Sequence, residues 1–326
     1  MLLVRIAFCD SYIEGARRGR VGETLDASCC TDRGWLSSTP SRVINYPDPL
    51  QGMRTRNEPR SHAHPKLRGG YTVRASPPLT DTHVLVTGAG RGIGRALAIA
   101  CGHSGASVSL VARTAEQIDS VAHEIQDSGG TAYPYLFDVA RTDGIRDLIA
   151  TIDLRHPITG VVHAAGIQIR QDALTFDLDD WRRVQQVNVE APFLLSQALA
   201  QLQISAQRKR CSHVFIGSLG SSIAIPRGVA YAASKSGLLG VVRTLATEWA
   251  PNRIRVNAIA PGYFLTDLTR ELLSDPAQHA RVLSRIPMGR LGEPEELGGA
   301  VTFLLSEAAS YITGQVINVD GGWLAS

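Results

Sequence analysis

The chain has 326 residues, enough for one large domain or two small ones. Hydrophobic residues make up 44% of it and charged residues 19%, the balance of an ordinary globular protein. The formal net charge of +3 gives no reason to expect nucleic acid or a membrane as a partner.

That charge is unevenly placed. Residues 1–80 hold 12 Lys and Arg against 7 Asp and Glu, so the basic excess lies in the N-terminal quarter. The stretch "SSTPSRVINYPDPLQGMRTRNEPRSHAHPKLRGG" is rich in Arg, Ser, Pro and Gly, and carries neither helical nor strand periodicity. A disordered or loosely structured extension is expected over 1–80. "MLLVRIAF" is short and interrupted by Arg5, which fits neither a signal peptide nor a membrane span. Asp10, Glu14, Glu23 and Asp26 are unwelcome in a transit peptide. Met53 would serve as a start that leaves the rest of the chain whole. Three of the five cysteines (Cys9, Cys29, Cys30) lie in this quarter and suggest no disulfide framework, so a soluble protein of the reducing cytoplasm is expected. His62 and His64 read as incidental, and no metal is expected.

At Thr80 the texture changes. His83–Thr87 is a short β-branched run, and Ala96–Cys101 continues a helical pattern. Between them lie Gly88, Gly90, Gly92 and Gly94, spaced T-G-x-x-x-G-x-G. Glycine lets a backbone turn tightly and approach a pyrophosphate, and a following helix offers free N–H groups and its positive dipole end. Further strand-like runs follow at Ser107–Ala112, Ala132–Phe137, Ile158–His163, His213–Gly217, Arg253–Ile259 and Gln315–Val319, with helical segments between most of them. Seven strands alternating with helices imply an α/β fold, a doubly wound Rossmann-type parallel sheet with helices on both faces, over 81–326. Ligands of such sheets bind beyond the carboxyl ends of the strands. The turn 88–94, Arg113, Asp138, "HAAG" 163–166, Ser218 and Pro261-Gly262 all fall at such ends.

"VAYAASKSGLLGVVRTLATEW" reads as a helix over Val229–Trp249 that carries Tyr231 and Lys235 one turn apart. Such a pair can simply mark a solvated edge, with the lysine stem lying over the ring. It can also be chemistry. A free phenol has a pKa of about 10. A cation about 4 Å away at an effective dielectric near 20 supplies about 4 kcal/mol, enough to bring that value near 7.

These residues together resemble the short-chain dehydrogenase/reductase family, from about Thr80 to the C-terminus. The resemblance rests on "TGAGRGIG" 87–94, "DV" 138–139, "HAAG" 163–166, "NV" 188–189, Ser218, "YAASK" 231–235, "APGYFLT" 260–266 and "VDGG" 319–322, in the family's order. One departure is His163-Ala164 where the family commonly has two asparagines, which removes a side chain that often stabilises the central sheet. The resemblance implies that Tyr231 is the acid/base and that Lys235 lowers its pKa and holds the nicotinamide ribose. It implies that Ser218 holds the substrate oxygen and that Asn188 anchors a water of the proton relay. Gly88, Arg91, Gly92, Ile93 and Gly94 would form the cofactor turn. Asp138 and Val139 would meet the adenine, Ala165 and Gly166 the cofactor wall, and Pro261, Gly262 and Thr266 the nicotinamide end. Ala232 and Ala233 would let the helix pack closely on another; in relatives such packing builds a dimer and then a tetramer.

The expected cofactor is NADP(H), with NAD(H) left open. An NAD site of this fold wants a carboxylate after the second strand. Here Ala112 and then Arg113 stand there, and Arg91 lies in the glycine turn; two guanidiniums suit a 2′-phosphate. "RIPMGRLGEPEEL", "VDGGW" and "GIQIRQDALTFDLDDW" resemble sugar-acid dehydrogenases, and Arg170 and Arg227 are candidates for a substrate carboxylate. A β-ketoacyl-carrier-protein reductase is the competing reading. A non-catalytic dinucleotide-binding protein and a nucleic-acid binder acting through the basic tail are further alternatives. The first is disfavoured by the intact Asn188, Ser218, Tyr231 and Lys235, the second by the scattered arginines of the tail.

Overall fold

The computed structural model describes residues 78–266, 269–270 and 273–326. The expected N-terminal extension therefore lies almost wholly outside the described residues. Seven strands form one sheet: β1 (His83–Thr87), β2 (Ser107–Ala112), β3 (Thr131–Leu136), β4 (Gly160–His163), β5 (Cys211–Ile216), β6 (Ile254–Pro261) and β7 (Val316–Val319). Their order is β3-β2-β1-β4-β5-β6-β7, and every pairing is parallel. The chain winds one way from β1 to β3 and then crosses to start the other half at β4. The switch point therefore lies between β1 and β4, where a parallel sheet opens a crevice at its carboxyl edge.

Eight α-helices are described: α1 (Gly92–His103), α2 (Ala115–Asp127), α3 (Ile145–Arg155), α4 (Leu178–Gln185), α5 (Ala191–Ser205), α6 (Val229–Trp249), α7 (Pro276–Leu283) and α8 (Gly298–Leu305). Strand side chains alternate between faces. Val84 and Val86 accordingly join one core with Leu97 and Cys101 of α1, Ile118 and Ile125 of α2 and Val301 and Leu304 of α8. Leu85 between them joins the other, with Ile149 of α3, Leu195 and Leu199 of α5 and Leu238 and Val242 of α6. Each such side chain, fully buried, contributes about 1.5–3 kcal/mol. A charge at Leu85 would therefore lose that contribution and bury an unpaired ion as well.

Five strands differ in their bounds from the sequence reading, and the main shifts have local reasons. β4 starts two residues late because Thr159 N–H donates to the His83 carbonyl and Ile158 N–H to Asp153 Oδ1, before the β1 ladder begins at Val84 and Gly160. β5 starts two residues early because Cys211 already pairs with Ile254. β6 runs on to Pro261, which faces Val319 and needs no N–H in the last position of a strand. β3 is shifted back by one residue, in register with Ser107–Ala112, and tolerates Pro134 because it is the edge strand. β7 begins at Val316, since Gln315 serves β6 through its carbonyl.

Candidate active site

The glycine turn is built by backbone demands that only glycine meets. Gly88 has φ +67°, and a Cβ there would stand 2.8 Å from the Ala165 backbone. A Cβ on Gly94 would meet the Gly88 carbonyl oxygen at 2.1 Å. Gly92 (φ +54°) opens α1, and Thr266 closes over it, its Cγ2 4.0 Å from where a Cβ would be. The Arg91 side chain makes no capping bond to α1, so no N-cap side chain occupies the first-turn N–H groups of Gly92, Ile93 and Gly94. Gly88 and Gly94 leave no room for a Cβ, and a glycine turn that opens a helix in this way suits an anionic group such as a diphosphate.

The remaining cofactor candidates line the same carboxyl edge. Ala112 ends β2 with its Cβ 3.5 Å from where a Gly90 side chain would start, and Arg113 follows it, exposed, as Arg91 is. Asp138 turns back to accept the Ala140 N–H at 3.0 Å, and Val139 beside it is buried. Ala165 N–H donates to Thr87 Oγ1 at 3.2 Å. Gly166 lies against both Asn188 and Lys235: a Cβ there would be 3.4 Å from Asn188 Oδ1 and 3.5 Å from Lys235 Nζ. Pro261 is buried, and Gly262 passes so near Asp320 that a Cβ would be 2.7 Å from its Cα. Thr266 N–H donates to Thr269 Oγ1 at 3.1 Å.

Tyr231 and Lys235 do not form a solvated edge. They are 9% and 5% exposed on the first turns of α6. Burial pushes the Tyr231 phenol above its ordinary value, while a Ser218 hydrogen bond and the Arg170 charge pull it down. The helix spacing led us to expect that pull from Lys235. Its ammonium instead donates to the Ile216 carbonyl at 2.7 Å, and burial lowers its own pKa to about 8. Ser218 caps the 3₁₀ turn Leu219–Ser221, accepting the Gly220 N–H at 3.0 Å, which leaves its own proton for Tyr231.

Asn188, the residue expected to anchor a water, is buried, and its side-chain amide is held by its neighbours. It sits on a π-helical turn, Gln186–Glu190, between α4 and α5. Its Oδ1 accepts the Ile167 N–H at 2.8 Å, and its Nδ2 donates to the Ile167 carbonyl at 2.9 Å and to Ser234 Oγ at 3.0 Å. The amide is a strut between the loop after β4 and helix α6. At His163, where the family commonly has an asparagine, the imidazole is buried and meets Ser196 Oγ of α5 at 2.7 Å.

Arg170 is half-buried and reaches the phenol electrostatically; Arg227 is exposed at φ +59°. Gln171 N–H donates to the Arg227 carbonyl at 3.0 Å, so the two loops that carry these arginines are tied together beside Tyr231. Two features escaped the sequence reading. Ser234 donates to the Tyr231 carbonyl at 2.7 Å and receives Asn188; its place three residues after Tyr231, on the same helix face, was the available signal. Leu219, next to Ser218, packs in a third apolar cluster with Val282, Ile286, Leu291 and Trp323. Only the chain's return to the carboxyl edge brings these residues together.

Residues 88–324 match the family model described as Enoyl-(Acyl carrier protein) reductase. A gluconate 5-dehydrogenase of Gluconobacter oxydans is 38% identical over 245 residues, 75% of this chain and 95% of that protein. A 3-oxoacyl-[acyl-carrier-protein] reductase of Synechocystis is 38% identical over 247 residues, 75% of this chain and 97% of its own length. The crystal structure of a gluconate 5-dehydrogenase from Burkholderia cenocepacia, in complex with NADP and tartrate, is 35% identical. It superposes with a TM-score of 0.73 over 76% of this chain and 97% of that one. With the fold, the glycine cradle and these relatives in agreement, the chain belongs to the short-chain dehydrogenase/reductase family of oxidoreductases.

Proposed function

We propose that this enzyme interconverts a secondary alcohol and a ketone on a sugar acid or similar small carboxylate, with NADP(H) as its redox partner. The observation that carries the substrate class is Arg170, a half-buried guanidinium within electrostatic reach of the Tyr231 phenol. A carboxylate a few bonds from the reacting carbon would find its counter-ion there. The tartrate and NADP of the Burkholderia cenocepacia relative support the same reading.

The nicotinamide, when bound, supplies or accepts the hydride; the protein supplies position and a proton. Gly88, Gly92, Ile93 and Gly94 would hold the diphosphate, with Arg91 and Arg113 on the 2′-phosphate. Asp138 and Val139 would flank the adenine, and Ala165, Gly166, Pro261, Gly262 and Thr266 the nicotinamide end. In the reducing direction Tyr231 gives its phenolic proton to the carbonyl oxygen as Ser218 donates a hydrogen bond to that oxygen. In the oxidising direction the phenolate takes the proton back. Lys235 holds a buried positive charge beside them, and Asn188 keeps the loop after β4 in place. Arg227 frames the outer side of the substrate mouth.

The enzyme is further proposed to be a cytoplasmic homodimer or homotetramer. Supporting this, Ala233, Ser236 and Gly237 are exposed along α6, and a Cβ at Gly237 or Gly240 would meet nothing within 4 Å. No described helix is long and apolar enough to cross a membrane. The competing reading, a β-ketoacyl-carrier-protein reductase, is favoured by the Synechocystis relative. A panel of keto-sugar acids and acetoacetyl thioesters, followed at the nicotinamide absorbance, separates the two. The expected result is turnover of the sugar acid with a KM that rises at least tenfold in Arg170→Ala. Preferred turnover of the thioester, unaffected by that change, would overturn the sugar-acid reading.

A further inference from the structure

His163 ends β4 and stands directly before Ala164, Ala165 and Gly166. Its Nε2 lies 2.7 Å from Ser196 Oγ of α5, and His213 Nδ1 of β5 lies 3.0 Å from the same oxygen. All three side chains are buried. Burial holds both imidazoles neutral, so each has one donor and one acceptor nitrogen. Ser196 has one proton. If it donates to one histidine, the other must donate to it, and the three groups form a directed chain. The outer nitrogens, His163 Nδ1 and His213 Nε2, are buried without a partner. Leaving two polar atoms bare is costly. Three well-packed apolar residues would stabilise the same space without that cost, so stability alone does not account for the chain.

Its placement does. Helix α5 continues directly from the π turn that carries Asn188. Asn188 clamps Ile167 through both its N–H and its carbonyl. The segment from His163 to Ile167 is thus held at its root by Ser196 and at its tip by Asn188, both on one continuous helical run. Between the two anchors lies Gly166, packed toward Asn188 Oδ1 and Lys235 Nζ. A shift of the root by a few tenths of an ångström would move this segment against both groups. His213 fixes the Ser196 oxygen from the sheet side, so the root cannot follow the helix alone.

We propose that His163, Ser196 and His213 are positioning residues, a buried hydrogen-bonded chain that sets the height of the Ala164–Gly166 segment against Asn188 and Lys235. The chain thereby tunes cofactor affinity and the hydride step. This rests on the reading that Ala165 and Gly166 face the cofactor.

The test uses the full-length enzyme and Ser196→Ala, with two readouts besides turnover. One is the NADPH dissociation constant by fluorescence titration; the other is the primary isotope effect with 4-deuterated NADPH. The expected result is an affinity about tenfold weaker, kcat about tenfold lower and a larger isotope effect. Ser196→Thr, which keeps the hydroxyl, should restore all three. If Ser196→Ala does not fold, Ser196→Cys, nearly the same size with a weak S–H donor, takes its place. Gln203→Leu is the control. Gln203 lies on the same helix and donates to the Ile158 carbonyl at the other end of β4, so its loss should lower the melting temperature and leave the three readouts unchanged. Wild-type affinity and isotope effect in Ser196→Ala, whatever its melting temperature, would overturn the proposal. Failure of the wild-type enzyme to bind NADPH would instead overturn the functional reading beneath it.

Discussion

Lys235 Nζ lies 5.8 Å from the centre of the Tyr231 ring and gives its hydrogen bond to the Ile216 carbonyl. The two side chains share one helix face, yet the groups that draw the phenol toward ionisation are Ser218 and Arg170. Removing a nearby cation raises a phenol's pKa. In alcohol oxidation, which needs the phenolate, the kcat–pH profile should therefore move to higher pH in Arg170→Ala, and by more than in Lys235→Met. A neutral secondary alcohol as substrate keeps carboxylate binding out of the comparison. A larger shift in Lys235→Met would return the tuning role to the lysine.

Tyr231→Phe keeps the buried ring and removes only the oxygen that carries the proton. General acid–base catalysis is worth about 10²–10⁴-fold, and kcat should fall by that much. Cofactor affinity and melting temperature should stay close to wild type. Steady-state kinetics with normal kcat in this variant would rule out Tyr231 as the acid/base.

Arg113 is exposed at the end of β2 with Ala112, not a carboxylate, before it. A charge-assisted hydrogen bond is worth about 1.5–3 kcal/mol, or roughly 10- to 100-fold in affinity. Arg113→Ser should weaken NADPH binding by that factor and leave NADH nearly unchanged, and Arg91→Ser should add to it. Equal losses for both cofactors, measured by titration, would show that the arginines do not read the 2′-phosphate.

His163 and His213 are both held neutral by burial, His213 down to about 3. The unfolded chain protonates such groups near 6.5, so the native state binds fewer protons below that pH and loses stability as pH falls. His213 should cost about 2 kcal/mol by pH 5, and His163 acts in the same direction. For His213 alone that is a drop of roughly 5 °C in melting temperature between pH 7 and 5, which His163 should enlarge. His83, lowered mainly by burial, acts in the same sense. His163→Asn should remove a substantial part of the dependence. A flat Tm profile by calorimetry over that range would contradict the neutral assignment.

The segment before the glycine turn is proposed to be dispensable. Removing residues 1–76 should leave NADPH affinity and melting temperature nearly unchanged. A large loss of either in the truncated enzyme would show that the segment supports the catalytic domain.

The parts of this fold governed by local rules were readable in the chain itself. β1, β2 and α6 begin and end where their apolar periodicity does, and the glycine turn follows from backbone sterics at Gly88 and Gly94. The pairing of Tyr231 and Lys235 on one helix was legible because their spacing is local. Their electrostatics were not. The pull on Tyr231 comes from Arg170, sixty-one residues earlier, and from Ser218 across a turn. Nor could spacing reveal that Asn188 sits on a π turn, or that His163 has Ser196 and His213 as partners. Those depend on how α5 is seated on β4 and β5, which no short window of sequence contains.

His83 at the head of β1 gives its N–H to Thr159 at the foot of β4, 76 residues further on. During synthesis at about 5–20 residues per second, that gap lasts roughly 4–15 seconds. For all of it, β1 offers the nascent chain's neighbours an unpaired edge of Val84, Leu85 and Val86, the kind of template on which strands of other molecules add. A parallel sheet has no tight hairpin to close that edge in microseconds. The ribosome's pace between Gly88 and Thr159, more than the stability of the finished protein, should therefore govern how much of it escapes aggregation, and less crowded expression should recover more folded enzyme.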